Sequence, residues 1–528
     1  MLDVAVRGGT LVDGTGGPAF RADLGIAGDT IVAMGPGVPA ATRTLEVAGQ
    51  VVAPGLVDIH THSDYTLLLN RNAESSVRQG VTTELLGNCG MSCAPLADPA
   101  QLPLVALEYL PGVDVRWRTF GQWLDVMEDG GLSVNIATLV GHNTVRLAAM
   151  GMAARPASPE ELRAMERLVE ESLDGGAFGL SSGLEYSPGK NAAREELVAL
   201  CNVVGRRGGF YATHIRNRDY AYLEAIEEAL QTGAGAGVRL QISHVSPRWG
   251  VQAGAAERAL AAVEQARASG VDVGFDNHPY VFGRGLVMAS LPPWAFDGGV
   301  VRFRERLRDP AQRAAMRAYE NPQWKHVHQA RWDLLTLYDA PANRDLQGRA
   351  IAEIADARGC DPWDVLFDLL LDEGDAPSRL WWSAPLHRQE DVDASFRFPD
   401  SIIMSDGSTV APYGPCRDVR HIYAYGWSTH VLRRYVRERR VLTLEEAIHR
   451  MSGRPARRIG LADRGTLAVG QKADVVIFDP ETVVDRATFE RPIAFPDGIS
   501  AVLVNGVVTV QNGEHTGARA GRVLRRGG

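Results

Sequence analysis

Leu56-Val57-Asp58-Ile59-His60-Thr61-His62-Ser63-Asp64 is an apolar, β-branched run that closes on two histidines spaced i, i+2. That pattern predicts a buried strand whose last two same-face side chains point together from its C-terminal end. Imidazole nitrogen suits zinc and its neighbours, and two imidazoles on one side of a rigid strand are preorganised to share an ion. A lone His-x-His pair also arises by chance. His326-Val327-His328 is read that way, because it follows Trp324-Lys325 in polar, Arg-rich sequence with no strand leading into it, and is expected at the surface.

Working outward, residues 55–458 alternate short apolar strands with helical segments. The strands include Val81-Thr82-Thr83-Glu84-Leu85-Leu86-Gly87, Ser133-Val134-Asn135-Ile136-Ala137-Thr138-Leu139, Phe178-Gly179-Leu180, Phe210-Tyr211-Ala212-Thr213, Arg239-Leu240-Gln241-Ile242-Ser243, Val271-Asp272-Val273-Gly274-Phe275 and Ile402-Ile403-Met404-Ser405. Ser158-Pro159-Glu160-Glu161 opens one of the intervening helices, with serine as cap and proline at the first position. About eight such βα units predict a closed (β/α)8, TIM-like barrel in the α/β class. The interval 284–400 is too long for one βα connection, and its helical, Trp-rich composition predicts a subdomain inserted near the barrel mouth. Residues 1–54 and 459–528 share short alternating strands and glycine turns, which predicts one small β-sandwich built from both chain ends. The Gly/Arg-rich tail at 517–528 is expected to fray.

The 528 residues are 45% hydrophobic and 23% charged, with a formal net charge of -9, and the pI is near 5.9. A mildly acidic chain of ordinary composition is a poor partner for nucleic acid or an anionic membrane. Arg433, Arg434, Arg437, Arg439 and Arg440 read as a solvated helix face. With no signal-like leader, no membrane-spanning run and five cysteines lacking framework spacing, a cytoplasmic protein is expected, with a homo-oligomer allowed.

The predicted strand ends carry His60 and His62, then Cys89, His214, His244 and Asp406. Strand C-termini of a barrel converge on one cleft, so these scattered residues are expected to meet there. The constellation resembles the metal-dependent amidohydrolase superfamily, and within it the D-aminoacylase (N-acyl-D-amino-acid deacylase) branch. The resemblance is carried by Pro54-Gly55 with the opening stretch, Arg78-Gln79-Gly80-Val81-Thr82-Thr83 with Gly87-Asn88-Cys89-Gly90, Gly183-Leu184-Glu185-Tyr186, Thr213-His214-Ile215-Arg216-Asn217, Ser243-His244 and Ser405-Asp406-Gly407.

The resemblance implies hydrolysis of a small-molecule amide. Cys89, His214 and His244 would hold a tight zinc, and His60 and His62, sharing Cys89, a weaker second one. Asp406 would carry the proton from water to the leaving amine. Asp64 would orient a ligand or cap a helix, and Cys93 would be structural. The chain departs from the branch where cationic residues hold the substrate carboxylate. Tyr423 stands in His421-Ile422-Tyr423 at one such place and Ser246 in His244-Val245-Ser246 at the other. With Tyr186 and Tyr280, these two are the expected substrate-contacting residues. Arg216, Arg218, Arg248, Arg417 and Arg420 are the candidate replacement cations. A substrate without a carboxylate (an aryl amide, carbamate or cyclic amide) and a barrel retained only for binding or assembly are the alternatives.

Overall fold

The computed structural model describes residues 1–110, 112–319 and 325–527. Eight strands form its centre: β1 (Leu56–Asp58), β2 (Val81–Leu86), β3 (Asn135–Thr138, resuming as Val140–Gly141), β4 (Gly179–Gly183), β5 (Phe210–His214), β6 (Arg239–Ile242), β7 (Val273–Asn277) and β8 (Ile402–Ile403). Each pairs in parallel with the next. The ring closes just beyond β1 and β8, where Thr61 bridges Gly407 in parallel. There the Asp406 amide donates to the His60 carbonyl at 3.1 Å and the His62 amide to the Gly407 carbonyl at 2.7 Å. Every residue of β2, β4 and β5 is buried, as a wall covered on both faces requires.

The connecting helices obey their local signals. Ser158 Oγ accepts from the Glu161 amide at 3.3 Å while Glu161 reaches back to the Ser158 amide at 2.7 Å, so the helix Pro159–Asp174 starts on a capping box. Between β7 and β8 the chain departs into an insertion with its own apolar cluster, including Phe303, Leu307, Leu337, Phe367 and Trp382. Helices such as Gly299–Arg308, Pro310–Ala318, Ile351–Arg358 and Pro362–Asp372 make up much of it. Phe282–Leu286, Trp381–Pro385 and Thr336–Asp339 form an antiparallel sheet at its base. Successive strand side chains face opposite ways, so Trp382 enters the insertion's cluster while Trp381 faces the cleft at the barrel mouth. The helix Gln389–Arg397 returns to the barrel and packs on Ala255–Ala268.

The chain ends meet in one seven-stranded sheet. Val51–Pro54 lies antiparallel to Val475–Phe478, with Ala53 opposite Val476. A four-stranded sheet from residues 2–46 covers it, and Val4, Val6, Leu24, Ile26, Val52, Val475, Ile477 and Leu503 fill the space between. Each such side chain, once fully buried, contributes about 1.5–3 kcal/mol, which sequestering either half alone would forfeit.

Three expectations need correction. The C-terminal tail is docked: Gly521 bridges Leu132 and Val523 bridges Ile136, and Arg525 pairs with Asp125 at 2.6 Å. Its backbone finds hydrogen-bond partners at the start of β3. The arginine run is not a solvated face. Arg433 pairs with Asp485 at 2.6 Å, Arg439 pairs with Asp393 at 2.6 Å, and Arg437 donates to the carbonyls of Pro480 and Val483, both at 2.9 Å. His326 is buried, its ring centroid 5.3 Å from that of Trp249 and its Nε2 3.2 Å from the Pro385 carbonyl. The side chain of His328 lies outside the described residues. No described helix is long and apolar enough to cross a membrane.

Candidate metal centre

The barrel brings His60, His62, Cys89, His214, His244 and Asp406 to the C-terminal ends of five strands, β1, β2, β5, β6 and β8. Three of them, Cys89 (φ 51°), His244 (φ 35°) and Asp406 (φ 54°), adopt left-handed backbone. Non-glycine residues hold that conformation at a cost of about 1–3 kcal/mol each, and all three sit where the chain leaves a strand and turns its side chain into the cleft. Neighbouring glycines make the turns possible. A Cβ on Gly87 (φ 76°) would lie 1.9 Å from the Leu139 carbonyl oxygen, and one on Gly183 would lie 2.0 Å from that of Cys89.

His60 Nε2 lies 3.2 Å from Cys89 Sγ, which lies 3.5 Å from His244 Nε2. Asp406 Oδ1 is 3.5 Å from His60 Nε2 and 3.2 Å from His62 Nε2. One donor atom from each of His60, Cys89, His244 and Asp406 falls within 4.8 Å of the other three. His214 stands beside them, its ring centroid 4.4 Å from that of His244. Its Nε2 is 2.9 Å from Glu185 Oε2, while its Nδ1 is buried without a hydrogen-bond partner, as is the Nδ1 of His244. A thiol, several imidazoles and a carboxylate around one point, with bare buried nitrogens among them, fit a borderline-soft divalent ion.

Two carboxylates behind these groups were not singled out from the sequence. Glu185 orients His214. Asp276 Oδ1 accepts from the His244 amide at 2.8 Å and lies 3.4 Å from His60 Nδ1, while its Oδ2 accepts from Gln241 Nε2 at 2.8 Å. Such partners fix the orientation of ligating imidazoles. An acid directly after the buried run Val273-Gly274-Phe275 was the available signal. Asp64 does not cap Thr66–Leu69, which carries no side-chain cap, and burial pushes its carboxyl up to about 7.

Burial alone would raise the thiol of Cys89, but His60, His214 and His62 hold it well below its ordinary value. The Asp406 carboxyl is likewise raised by burial, yet His62 and His60 leave it strongly depressed. His278 goes the other way: burial above all, with Arg218 adding to it, pushes it down to about 4. The site therefore offers an ionised sulfur and an ionised carboxylate facing imidazoles: burial opposes their charge, but Cys89 and the neighbouring acids hold His60, His62 and His214 above the ordinary value, while burial and Arg218 leave His244 well below it.

A cleft of about 780 Å³ opens on this cluster, with Tyr186, Arg218, Arg284, Trp381 and Tyr423 in its walls. A second cleft of about 1120 Å³, lined by apolar groups such as Leu104, Val105, Met152, Met288 and Phe303, shares Met91, Leu107, Tyr186, Leu286 and Ala289 with the first. Tyr280 and Ser246 line neither. Tyr280 stacks one ring behind Tyr423, with centroids 4.5 Å apart, and the Ser246 hydroxyl accepts from Asn277 Nδ2 at 2.7 Å. Of the replacement cations, Arg218 and Arg248 reach the cleft. Arg216 is engaged by Glu228 at 2.8 Å, Arg417 pairs with Asp418, and Arg420 donates to the Phe489 carbonyl at 3.3 Å.

The amidohydrolase family model (Amidohydro_3) matches residues 43–510. The chain belongs to the amidohydrolase family. Within it, a D-aminoacylase of Alcaligenes xylosoxydans xylosoxydans is 35% identical over 99% of this chain and 98% of its own. A D-aminoacylase crystal structure, described as defining a novel subset of amidohydrolases, superposes with a TM-score of 0.83 at 34% identity, covering 100% of both chains. The N-acyl-D-glutamate deacylase of Bordetella bronchiseptica, solved with zinc and a phosphonate mimic of the tetrahedral intermediate, gives 0.82 at 32% identity over 99% of both. This amidohydrolase thus has the barrel and flanking sheets of those deacylases.

Proposed function

We propose that this amidohydrolase is a zinc-dependent deacylase that cleaves the amide C–N bond of N-acyl-D-amino acids. The observation that carries the reading is the convergence of Cys89, His60, His244 and Asp406 on one point within 4.8 Å, at the floor of a cleft with both cationic and apolar walls. Cys89, His214 and His244 would hold the tighter ion, and His60 and His62 a second one next to the shared thiolate. A divalent ion there supplies Lewis acidity, making water acidic near neutral pH and polarising a carbonyl.

The chain's own groups do the rest. Asp406 is held ionised by His62 and His60, so its carboxylate oxygen can accept a proton from the attacking water and return it to the departing nitrogen. An amine leaves poorly without that proton. Tyr186 and Tyr423 wall the reacting end of the cleft, and the joined apolar cleft suits a hydrophobic acyl group. The D configuration rests on the similarity to the deacylases above.

The test is metal analysis of the purified protein together with a hydrolysis screen of N-acyl-D-amino acids, their L forms and neutral amides. About one or more zinc per chain and a preference for the D acids are expected. A zinc-loaded protein that hydrolyses no member of the screen would overturn the reading and favour a binding role for the barrel.

A further inference from the structure

Arg218 lies four residues beyond the end of β5 and is only 3% exposed, yet it lines the cleft beside the metal centre. A guanidinium is permanently charged, and burying it without a counter-charge is strongly disfavoured. The other two arginines of the cleft have acids: Arg248 meets Glu185 at 2.5 Å and Arg284 meets Glu108. Among the described residues no carboxylate lies within ion-pair distance of the Arg218 guanidinium, and its side-chain hydrogen-bond partners are neutral. Its Nη2 donates to the Ser246 carbonyl at 3.1 Å and to His387 Nε2 at 3.2 Å. His387 Nδ1 lies 2.7 Å from the Pro247 carbonyl, an acceptor, so the ring proton sits there and Nε2 is an uncharged acceptor. The Arg218 Nε–H is buried with no hydrogen-bond partner.

The residue is also held in place. Its amide donates to Glu185 Oε1 at 3.1 Å, the same carboxylate that orients His214 and Arg248. The head group is carried to the Ser246 carbonyl, so a positive charge reaches the position where the short Ser246 side chain brings none. Burial, then the neighbouring Arg248, lowers the pKa of Arg218 from its ordinary value, against the opposing pull of Glu185 and Asp406, neither of which pairs with the guanidinium.

We propose that Arg218 is a specificity-determining residue that binds the free α-carboxylate of the substrate, the anion that completes its buried charge. The inference rests on the reading of the site as a deacylase of N-acyl amino acids. It makes the enzyme selective for acids over their neutral carboxamides, although the residues at 246 and 423 are uncharged.

The test is calorimetric and needs no turnover. Zinc-loaded Asp406→Asn protein is titrated with N-acetyl-D-methionine and with N-acetyl-D-methioninamide, with and without Arg218→Gln or Arg218→Lys, after zinc content and thermal unfolding of each variant have been checked. With Arg218 present the acid should bind at least about 10-fold more tightly than the amide, the scale of a charge-assisted contact. Arg218→Gln should bring that ratio close to one, and Arg218→Lys should keep part of it. Equal binding of acid and amide with Arg218 present overturns the proposal. So does binding of neither, or a ratio that survives Arg218→Gln. If Arg218→Gln does not fold, the ratio with Arg218 present and its reduction in Arg218→Lys decide the matter. A failed hydrolysis screen would instead remove the deacylase reading and leave this binding ratio standing by itself.

Discussion

His62 Nε2 lies 3.2 Å from Asp406 Oδ1, although 344 positions separate the two residues. The contact exists because the eighth strand closes against the first. It joins an element at the start of the barrel to one at its end, and it places the proposed proton carrier against the candidate metal-binding imidazoles.

Asp406→Asn keeps the shape of that contact and removes the proton acceptor. Turnover should fall by at least about a hundredfold, with zinc retained through Cys89, His214 and His244. Steady-state kinetics with elemental analysis of the same sample checks this. Turnover near that of the wild type would remove Asp406 from the chemistry.

Glu185→Gln leaves His214 a weaker partner at the 2.9 Å contact and frees Arg248 from its ion pair. Zinc affinity should drop by about 10-fold or more, as for other carboxylates behind metal-bound histidines. Competition with a chromophoric chelator measures it, and an unchanged affinity would show that Glu185 does not orient the ligand.

Gly183→Ala places a Cβ 2.0 Å from the Cys89 carbonyl oxygen, which is backbone and cannot swing aside. The turn that carries the thiol must shift, so zinc stoichiometry should fall even in protein that remains folded by circular dichroism. Gly235→Ala is the matched control. It lies exposed in the helix Tyr222–Ala236, where the new Cβ meets only Val198 Cγ2 at 3.8 Å, and it should stabilise by about 0.5–1 kcal/mol. Normal zinc content in Gly183→Ala would contradict the packing argument.

Asp485, from the C-terminal segment, accepts from His430 Nδ1 at 2.9 Å and Arg433 Nε at 2.6 Å. Burial raises its carboxyl, but His430 and Arg433 overcome this and leave it well below the ordinary carboxylate value. Its folded pKa thus lies below its unfolded value of about 3.9. The stabilisation is therefore fully present above about pH 4 and is lost as pH falls through the folded pKa. Asp485→Asn should cost about 2–4 kcal/mol at pH 7, with the gap to wild type narrowing below about pH 4. Urea unfolding across that range tests it, and a gap that ignores pH would rule out the ionic origin.

Much of the site could be read from the chain because its chemistry is local. His60 and His62 follow a buried strand, and Cys89 sits in a glycine-flanked turn that only a strand-to-loop junction demands. His214, His244 and Asp406 each end a short apolar run. Residue type and spacing carry that information directly. The roles of Arg218, Asp276 and His326 do not show in this way. An arginine four residues after a histidine looks alike whether it points to solvent or into a cleft. Its meaning comes from Ser246 and Pro247, in the loop that follows β6, and from His387, at the end of the insertion.

The alternation of buried strands and capped helices, with a histidine, cysteine or aspartate at strand ends, pointed from the sequence alone to a closed barrel with candidate metal ligands at its mouth. Those signals arise from periodicity and backbone preference, which act over a few residues. Only the tertiary structure decided that the C-terminal tail docks under β3, that Arg433 and Arg439 pair with Asp485 and Asp393, and that the guanidinium of Arg218, buried in the cleft, meets no carboxylate at ion-pair distance among the described residues. Charge compensation is a property of the space around a group, and that space is assembled from segments hundreds of residues apart.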